Sequence, residues 1–334
     1  MSFKSLAIRP ATWLYQRPYL LLTITMMAWA GNAIAGRGAR FDVPPVTLAY
    51  LRWAGAFLIT LPFAWPHLKR DMAMLRAHWK IVLVLSILGV SAFNTLLYTG
   101  LQDTSALNGA LIQSANPVFI ALSVFLFFRE PARLLQIAGI AVSLLGVLIV
   151  ITRGDIAVLR DMSFNRGDLW VLASVLVWAV YTALLRLRPP LHWLSFLTAT
   201  FGIGCACLTP LLIGELISGR ALNPTPQAFA AIAYVAVFPS IVAYICFNRG
   251  VELIGATRAG PFMNLVPLFV AGLAFVFLGE APQLFHAAGF ALVIGGIALA
   301  ARKKDPALSL DAPGAAPLPG KGASPHRQGK ASGG

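Results

Sequence analysis

Charge is scarce in this chain. Only 11% of its 334 residues are Asp, Glu, Lys or Arg, against 58% hydrophobic. A soluble domain carries about 25% charged residues, so too little polar material is present to cover a surface in water. Acidic residues are scarcest, 12 in all, and each falls in a loop, a tail or the end of an apolar run. A proton relay through hydrocarbon needs a titratable group in mid-run, and no carboxylate stands there. The five histidines (His67, His78, His192, His286 and His326) also lie between runs, at their ends or in the tail. Without a Ser-His or Asp-Asp constellation at mid-depth, an intramembrane enzyme lacks its chemistry. Cys205, Cys207 and Cys246 are the only cysteines; no third thiol or imidazole completes a metal site, so they read as small hydrophobes. No cofactor is expected, and no carbonyl-rich filter run marks a channel.

Long apolar runs are abundant. Ten candidate spans run approximately 18–37, 46–66, 80–101, 104–128, 134–152, 168–187, 191–214, 227–248, 256–279 and 284–302. Each is of the order of 20 residues, which as a helix crosses about 30 Å of hydrocarbon. Helices are required, because lipid leaves no solvent for unpaired backbone groups. The expected fold is therefore all-α and integral to the lipid bilayer. Asp168 after Gly167 suits a helix N-cap, and Pro131 and Pro282 suit breaks between helices. Residues 1–17 precede the first span, 153–167 connect the two halves, and 305–334 are rich in Pro, Gly, Ala and Ser, a composition expected to be disordered. Ala33-Ile34-Ala35 imitates a signal-peptidase site, but the first span has a counterpart later in the chain and is expected to be kept.

The net charge of +14 would suit a nucleic-acid partner if it lined one face. Instead the basic residues sit in the connections. With both termini in the cytoplasm, only Arg37, Arg40, Arg153, Arg160, Arg166 and Arg220 fall outside, and nearly all the others fall inside. That asymmetry is the positive-inside pattern of a multi-pass plasma (inner) membrane protein; no nucleic acid is called for.

A self-match organises the runs. Asn94–Arg153 aligns without a gap on Tyr244–Lys303, placing Gly100 on Gly250, Pro117 on Pro267, Glu130 on Glu280, Gly139 on Gly289 and Gly146 on Gly296. Trp29-Ala30 falls on Trp178-Ala179 and Pro62 on Pro210 with slips of one and two residues. The repeat unit, 18–152 and again 168–304, holds five spans. Five is odd, so the second copy enters the membrane from the opposite side, as in the inverted repeats of alternating-access carriers.

Five plus five helices, the paired tryptophans, Gly167-Asp168 opening the sixth span, and the Arg129-Glu130-Pro131 and Gly279-Glu280-Ala281-Pro282 connections together resemble the drug/metabolite transporter superfamily, EamA type. The resemblance covers about 18–304. It implies a central cavity lined by the first four helices of each half, with the fifth and tenth peripheral, and export or exchange of amino acids, their derivatives or other small metabolites. Multidrug efflux is the alternative within the class.

Polar side chains in mid-run must find a partner or line a wet cavity. Asn94 and Tyr98 share a helix face; their counterparts Tyr244 and Asn248 keep the spacing with the two types exchanged. Asn32 follows Trp29 by three residues, and Tyr181 follows Trp178 by three, so each aromatic has a polar neighbour able to hold an amphipathic solute. Arg52 either snorkels to the interface or neutralises a substrate carboxylate or phosphate; its counterpart is Thr200, so the charge is no symmetric structural need. Asn116 and Asn264 lie beside Pro117 and Pro267, which interrupt backbone bonding and serve as hinges or as static kinks. These residues form the expected small-molecule site. The small-residue pair Gly139-x-x-x-Ser143 packs helices within a chain or between two chains of a homodimer.

The inverted repeat sets a topological test. In a background without native cysteines, Asp103→Cys reacts with an impermeant thiol reagent added outside the cell and Leu253→Cys reacts only after the inner face is exposed; labelling of both from one side removes the symmetry.

Overall fold

The computed structural model describes residues 13–104, 109, 112–152, 154–155, 157–160, 165–278 and 284–302. Glu280, Pro282 and the 305–334 tail, to which the sequence assigned a repeat mark, a helix break and disorder, lie outside the described residues. Among those described there is no strand. The described chain is all-helical, and six of its helices among the described residues are long and apolar enough to cross a membrane by themselves.

The helices, in chain order, are α1 (Pro18–Gly38), α2 (Pro45–Ala77), α3 (Trp79–Asp103), α4 (Asn116–Phe128), α5 (Leu134–Ile151), α6 (Arg166–Leu184), α7 (Trp193–Ile217), α8 (Pro226–Ile254), α9 (Leu265–Leu278) and α10 (Leu284–Ala301). Short helical turns at Ala157–Arg160 and Ala256–Ala259 stand before α6 and α9. Three differences from the sequence expectation have physical causes. Helix α2 has 33 residues and runs past the expected end at 66; its added turns carry Lys69, Arg70, Asp71 and Arg76, a polar continuation into water. Asp168 is not the N-cap of α6. Asn165 is, and Asp168 occupies the third helical position, so that each side chain accepts from the other's backbone N–H in a capping box. The fourth and ninth spans are not continuous: α4 begins at Asn116 with Pro117 in its first turn, and a 3₁₀ segment Gly260–Asn264 precedes α9. Proline cannot donate to the preceding turn, so helix starts there at no cost.

Helix packing is reciprocal between the halves. Helix α1 packs on α8 as α6 packs on α3; α1 packs on α9 as α6 packs on α4; α2 packs on α7, and α5 on α10. Both α3 and α8 are interrupted by one π-helical segment, Ile87–Ala92 and Val237–Val242, whose residues coincide under the 150-residue offset. The C-terminal end of α7 also caps α2: the buried Glu215 carboxylate accepts from Val46 N (3.1 Å), Thr47 N (2.7 Å) and Thr47 Oγ1 (2.8 Å). An anion at a helix N-terminus satisfies orphan donors and meets the positive end of the dipole.

The Gly139-x-x-x-Ser143 stripe is used inside the chain. A Cβ at Gly139 would sit 2.5 Å from Gly296 O, and one at Gly296 would sit 2.5 Å from Gly139 O; Gly146 meets Gly289 O at 2.7 Å. Backbone therefore touches backbone along α5 and α10, the close approach that small residues allow between helices in lipid. Gly139→Ala is expected to destabilise the detergent-solubilised protein by roughly 1–3 kcal/mol through this overlap. Gly214→Ala, where a Cβ meets nothing within 4 Å, leaves the melting temperature unchanged or raises it. Equal melting of the two variants would discount the contact.

Candidate functional site

The π-helical segments shape the centre of the molecule. A π turn sets a carbonyl out of the regular ladder and is found often at functional sites. In α8 the freed Pro239 carbonyl accepts from the Trp29 indole Nε1 (3.1 Å) and from Arg52 Nη2 (2.9 Å). In α3 the equivalent Gly89 carbonyl accepts from the Tyr244 hydroxyl. Each half thus offers a backbone carbonyl to a side chain across the molecule, and irregular backbone at membrane depth is tolerated because it is satisfied there.

Arg52 does not snorkel. It is 1% exposed and is held from every side by neutral acceptors. Its Nε donates to Ser240 Oγ (2.6 Å), its Nη1 to Asn94 Oδ1 (2.9 Å), Tyr98 OH (3.0 Å) and Asn32 Oδ1 (3.2 Å), and its Nη2 to the Pro239 carbonyl. Tyr98 in turn donates to Asn32 Oδ1 (2.8 Å), and the guanidinium lies over the Trp53 ring at 4.6 Å. Among the described residues no carboxylate pairs with it. Burying a guanidinium costs several kcal/mol. Hydrogen bonds to a charged group return about 1.5–3 kcal/mol each, so five neutral acceptors can hold it in place without cancelling its charge.

The second half holds the matching pair with the types exchanged. Tyr181 donates to Asn248 Oδ1 (3.0 Å). Under the repeat, Asn32 falls on Tyr181 and Tyr98 on Asn248, so the same two positions bond in each half. Arg52 is lost from this copy; Thr200 stands in its place and turns its hydroxyl to the Leu197 carbonyl of its own helix (2.9 Å).

Between the two pairs the aromatic rings close on one another. Trp29 meets Trp178 edge to face at 5.0 Å and Phe247 at 5.2 Å. Trp178 also packs on Phe93, Tyr181 and Tyr244, and Trp53 on Phe201 and Tyr244. The central compartment implied by the resemblance is filled by these rings. They leave a demand behind: Trp53 Nε1, Trp178 Nε1, Asn94 Nδ2 and Asn248 Nδ2 are buried and make no hydrogen bond. A buried donor left unpaired costs about 1–3 kcal/mol, and a polar ligand would relieve that cost.

Nine of the eleven expected binding residues therefore converge: Trp29, Asn32, Arg52, Asn94, Tyr98, Trp178, Tyr181, Tyr244 and Asn248 are linked by the contacts above. Asn116 and Asn264 do not join them. Asn116 Nδ2 donates to the Gln113 carbonyl (2.9 Å), and Asn264 Nδ2 to Ser143 Oγ (2.8 Å). Pro117 and Pro267 lie in the first turns of α4 and α9, at the helix discontinuities. Sequence reasoning missed Ser240 and the Pro239 carbonyl, both inside the π segment, and the rings of Trp53, Phe93, Phe201 and Phe247. Trp53 adjoins Arg52 and Phe247 adjoins Asn248, a proximity that could have drawn notice; nothing marks a π segment in advance.

Comparison with known proteins places the chain among transporters. Residues 16–152 and again 165–302 match the EamA-like transporter family. An uncharacterized transporter of Bacillus subtilis, YyaM, is 32% identical over 275 residues, covering 78% of this chain and 88% of the relative. An uncharacterized transporter of Archaeoglobus fulgidus is 30% identical over 295 residues, 86% of this chain and 98% of the relative. A probable terminal-alkyne amino-acid exporter of Streptantibioticus cattleyicolor is 28% identical over 84% of this chain and 92% of its own length. A crystal structure 20% identical in sequence shares the fold, with a TM-score of 0.69 over 85% of this chain and 96% of the other.

Proposed function

This chain belongs to the EamA-like transporter family, and from that membership we propose that it exports or exchanges small carboxylate-bearing metabolites, amino acids or related amphipathic compounds, by alternating access. The observation that carries the proposal is the buried Arg52 with neutral partners only. A cation held at membrane depth without a counter-charge is the natural partner of a substrate carboxylate, and a bidentate Arg–carboxylate pair is among the strongest available. The ring cluster around Trp29 and Trp178 supplies the apolar wall for the rest of the solute. The amino-acid exporter among the relatives is consistent with this substrate class. Multidrug efflux of cations fits less well, because the same guanidinium would repel them.

The carrier cycle follows from the repeat. We take the ten helices as two five-helix units of opposite orientation in the inner membrane, with both termini in the cytoplasm. The double family match, the reciprocal packing, the coincident π segments and the type-exchanged Asn–Tyr pairs support that reading. Alternating access requires the central rings to part first on one side and then on the other, with the breaks at Pro117 and Pro267 as hinges. No mid-span carboxylate is present to carry a proton, so exchange or facilitated export fits the chemistry.

Transport by proteoliposomes tests the assignment. Arg52→Gln is expected to lower counterflow of L-phenylalanine by at least roughly tenfold, the scale on which loss of one buried charged partner is felt. Arg52→Lys, a point charge in place of a five-donor fork, is expected to recover only part of it. Full counterflow in both variants, with normal insertion, would remove Arg52 from the site.

A further inference from the structure

One end of the molecule carries a crevice that meets the central site only at Asn248. Arg188 and Trp193 line it where α7 begins, with Leu197 one turn on, and Ile245, Asn248 and Arg249 line it from α8. It is the end that the basic connections place in the cytoplasm. Tyr15, just before α1, closes over it: the Arg249 guanidinium lies 4.6 Å from the Tyr15 ring, and its Nε donates to the Tyr15 carbonyl at 3.3 Å.

Two arginines here share one carboxylate. Glu252 takes Arg188 Nη2 at 3.2 Å and Arg249 Nη1 at 3.1 Å. The arginine side chains are only 17% and 16% exposed, while Glu252 is 45% exposed. The cations are thus fixed into the wall and their counter-ion sits at the mouth. At the inner end stands Asn248, 3% exposed, with Oδ1 taken by Tyr181 and Nδ2 unbonded. The equivalent pair in the other half, Asn32 and Tyr98, accepts from Arg52; in this half Thr200 stands in that arginine's place, and the Asn248 amide keeps an Nδ2 donor without a partner. Arg188, Arg249 and Asn248 therefore line one narrow crevice together with Trp193, Leu197 and Ile245.

We propose that this crevice is a docking site for the carboxylate of an amphipathic organic acid, which displaces Glu252 from Arg188 and Arg249 and accepts from Asn248 Nδ2 while its apolar part lies on Trp193, Leu197 and Ile245. The proposal rests on the carboxylate-carrier reading and adds to it a first binding position at the cytoplasmic end, before the central rings part. Glu252 is then a resident competitor: it keeps the arginines paired when no solute is present and yields them when one arrives.

The test is direct binding of radiolabelled 3-phenylpropionate to the full-length protein in lipid nanodiscs. Glu252→Gln is expected to tighten binding about fivefold, because an exposed competing ion pair is removed. Arg188→Gln combined with Arg249→Gln is expected to weaken binding by roughly tenfold or more. Phenethylamine, which has the ring without the carboxylate, does not compete. Unchanged or weaker binding in Glu252→Gln, undiminished binding in the double arginine variant, or no saturable binding to the wild-type protein overturns the proposal. If the double variant fails to assemble, the Glu252→Gln result decides by its opposite sign. Binding with this pattern but no counterflow of any carboxylate would defeat the carrier reading and leave the crevice; counterflow with arginine-independent binding would do the reverse.

Discussion

A guanidinium buried in the membrane without a counter-ion is the constraint around which the centre of this molecule is arranged. Its desolvation must be repaid, and in lipid no water can do so. The repayment comes from three helices at once: Asn32 on α1, Asn94 and Tyr98 on α3, and Ser240 with the Pro239 carbonyl on α8, around Arg52 of α2. No single helix could supply that geometry. The π turn in α8 is part of the solution, since the carbonyl it releases is one of the acceptors. The same bonds that fix Arg52 tie the first half of the chain to the second, through the contact of α2 with α8.

Symmetry and its violation divide the labour. The packing scheme, the π segments and the Asn–Tyr pairs repeat, and these belong to the frame. The positions that break the repeat are chemical: Arg52 against Thr200, and the Arg188–Glu252–Arg249 cluster, which among the described residues stands at one end. A carrier built from two copies of one unit needs both properties. On the proposed carrier reading, near-equivalent packings would bring inward- and outward-open forms close in energy, and the unmatched charges would line the route with donors for a carboxylate.

Much of this was legible in the sequence, for reasons that can be stated. Lipid removes most alternatives, so long apolar runs declare helices, and a polar residue in mid-run declares a need for a partner. That logic selected nine residues that converge. It also selected Asn116 and Asn264, because sequence does not reveal whether an amide is satisfied locally: one bonds the Gln113 carbonyl and the other Ser143. The exchange of Asn and Tyr between repeats was visible, but spacing suggested neighbours on one helix, whereas the actual bonds join α1 to α3 and α6 to α8. Helix ends were the least legible. The α6 cap lies at Asn165 because the capping box needs its acid three residues into the helix, and α2 extends beyond the hydrocarbon because polar residues stay helical in water.

The central claim, that the site is built for a carboxylate, is tested most directly by changing that group alone in the solute. Counterflow into proteoliposomes is measured with L-phenylalanine and with L-phenylalaninamide, which keeps the ring and the ammonium and lacks the carboxylate. The account predicts trans-stimulated uptake of the acid and none of the amide; equal uptake of the two would contradict it.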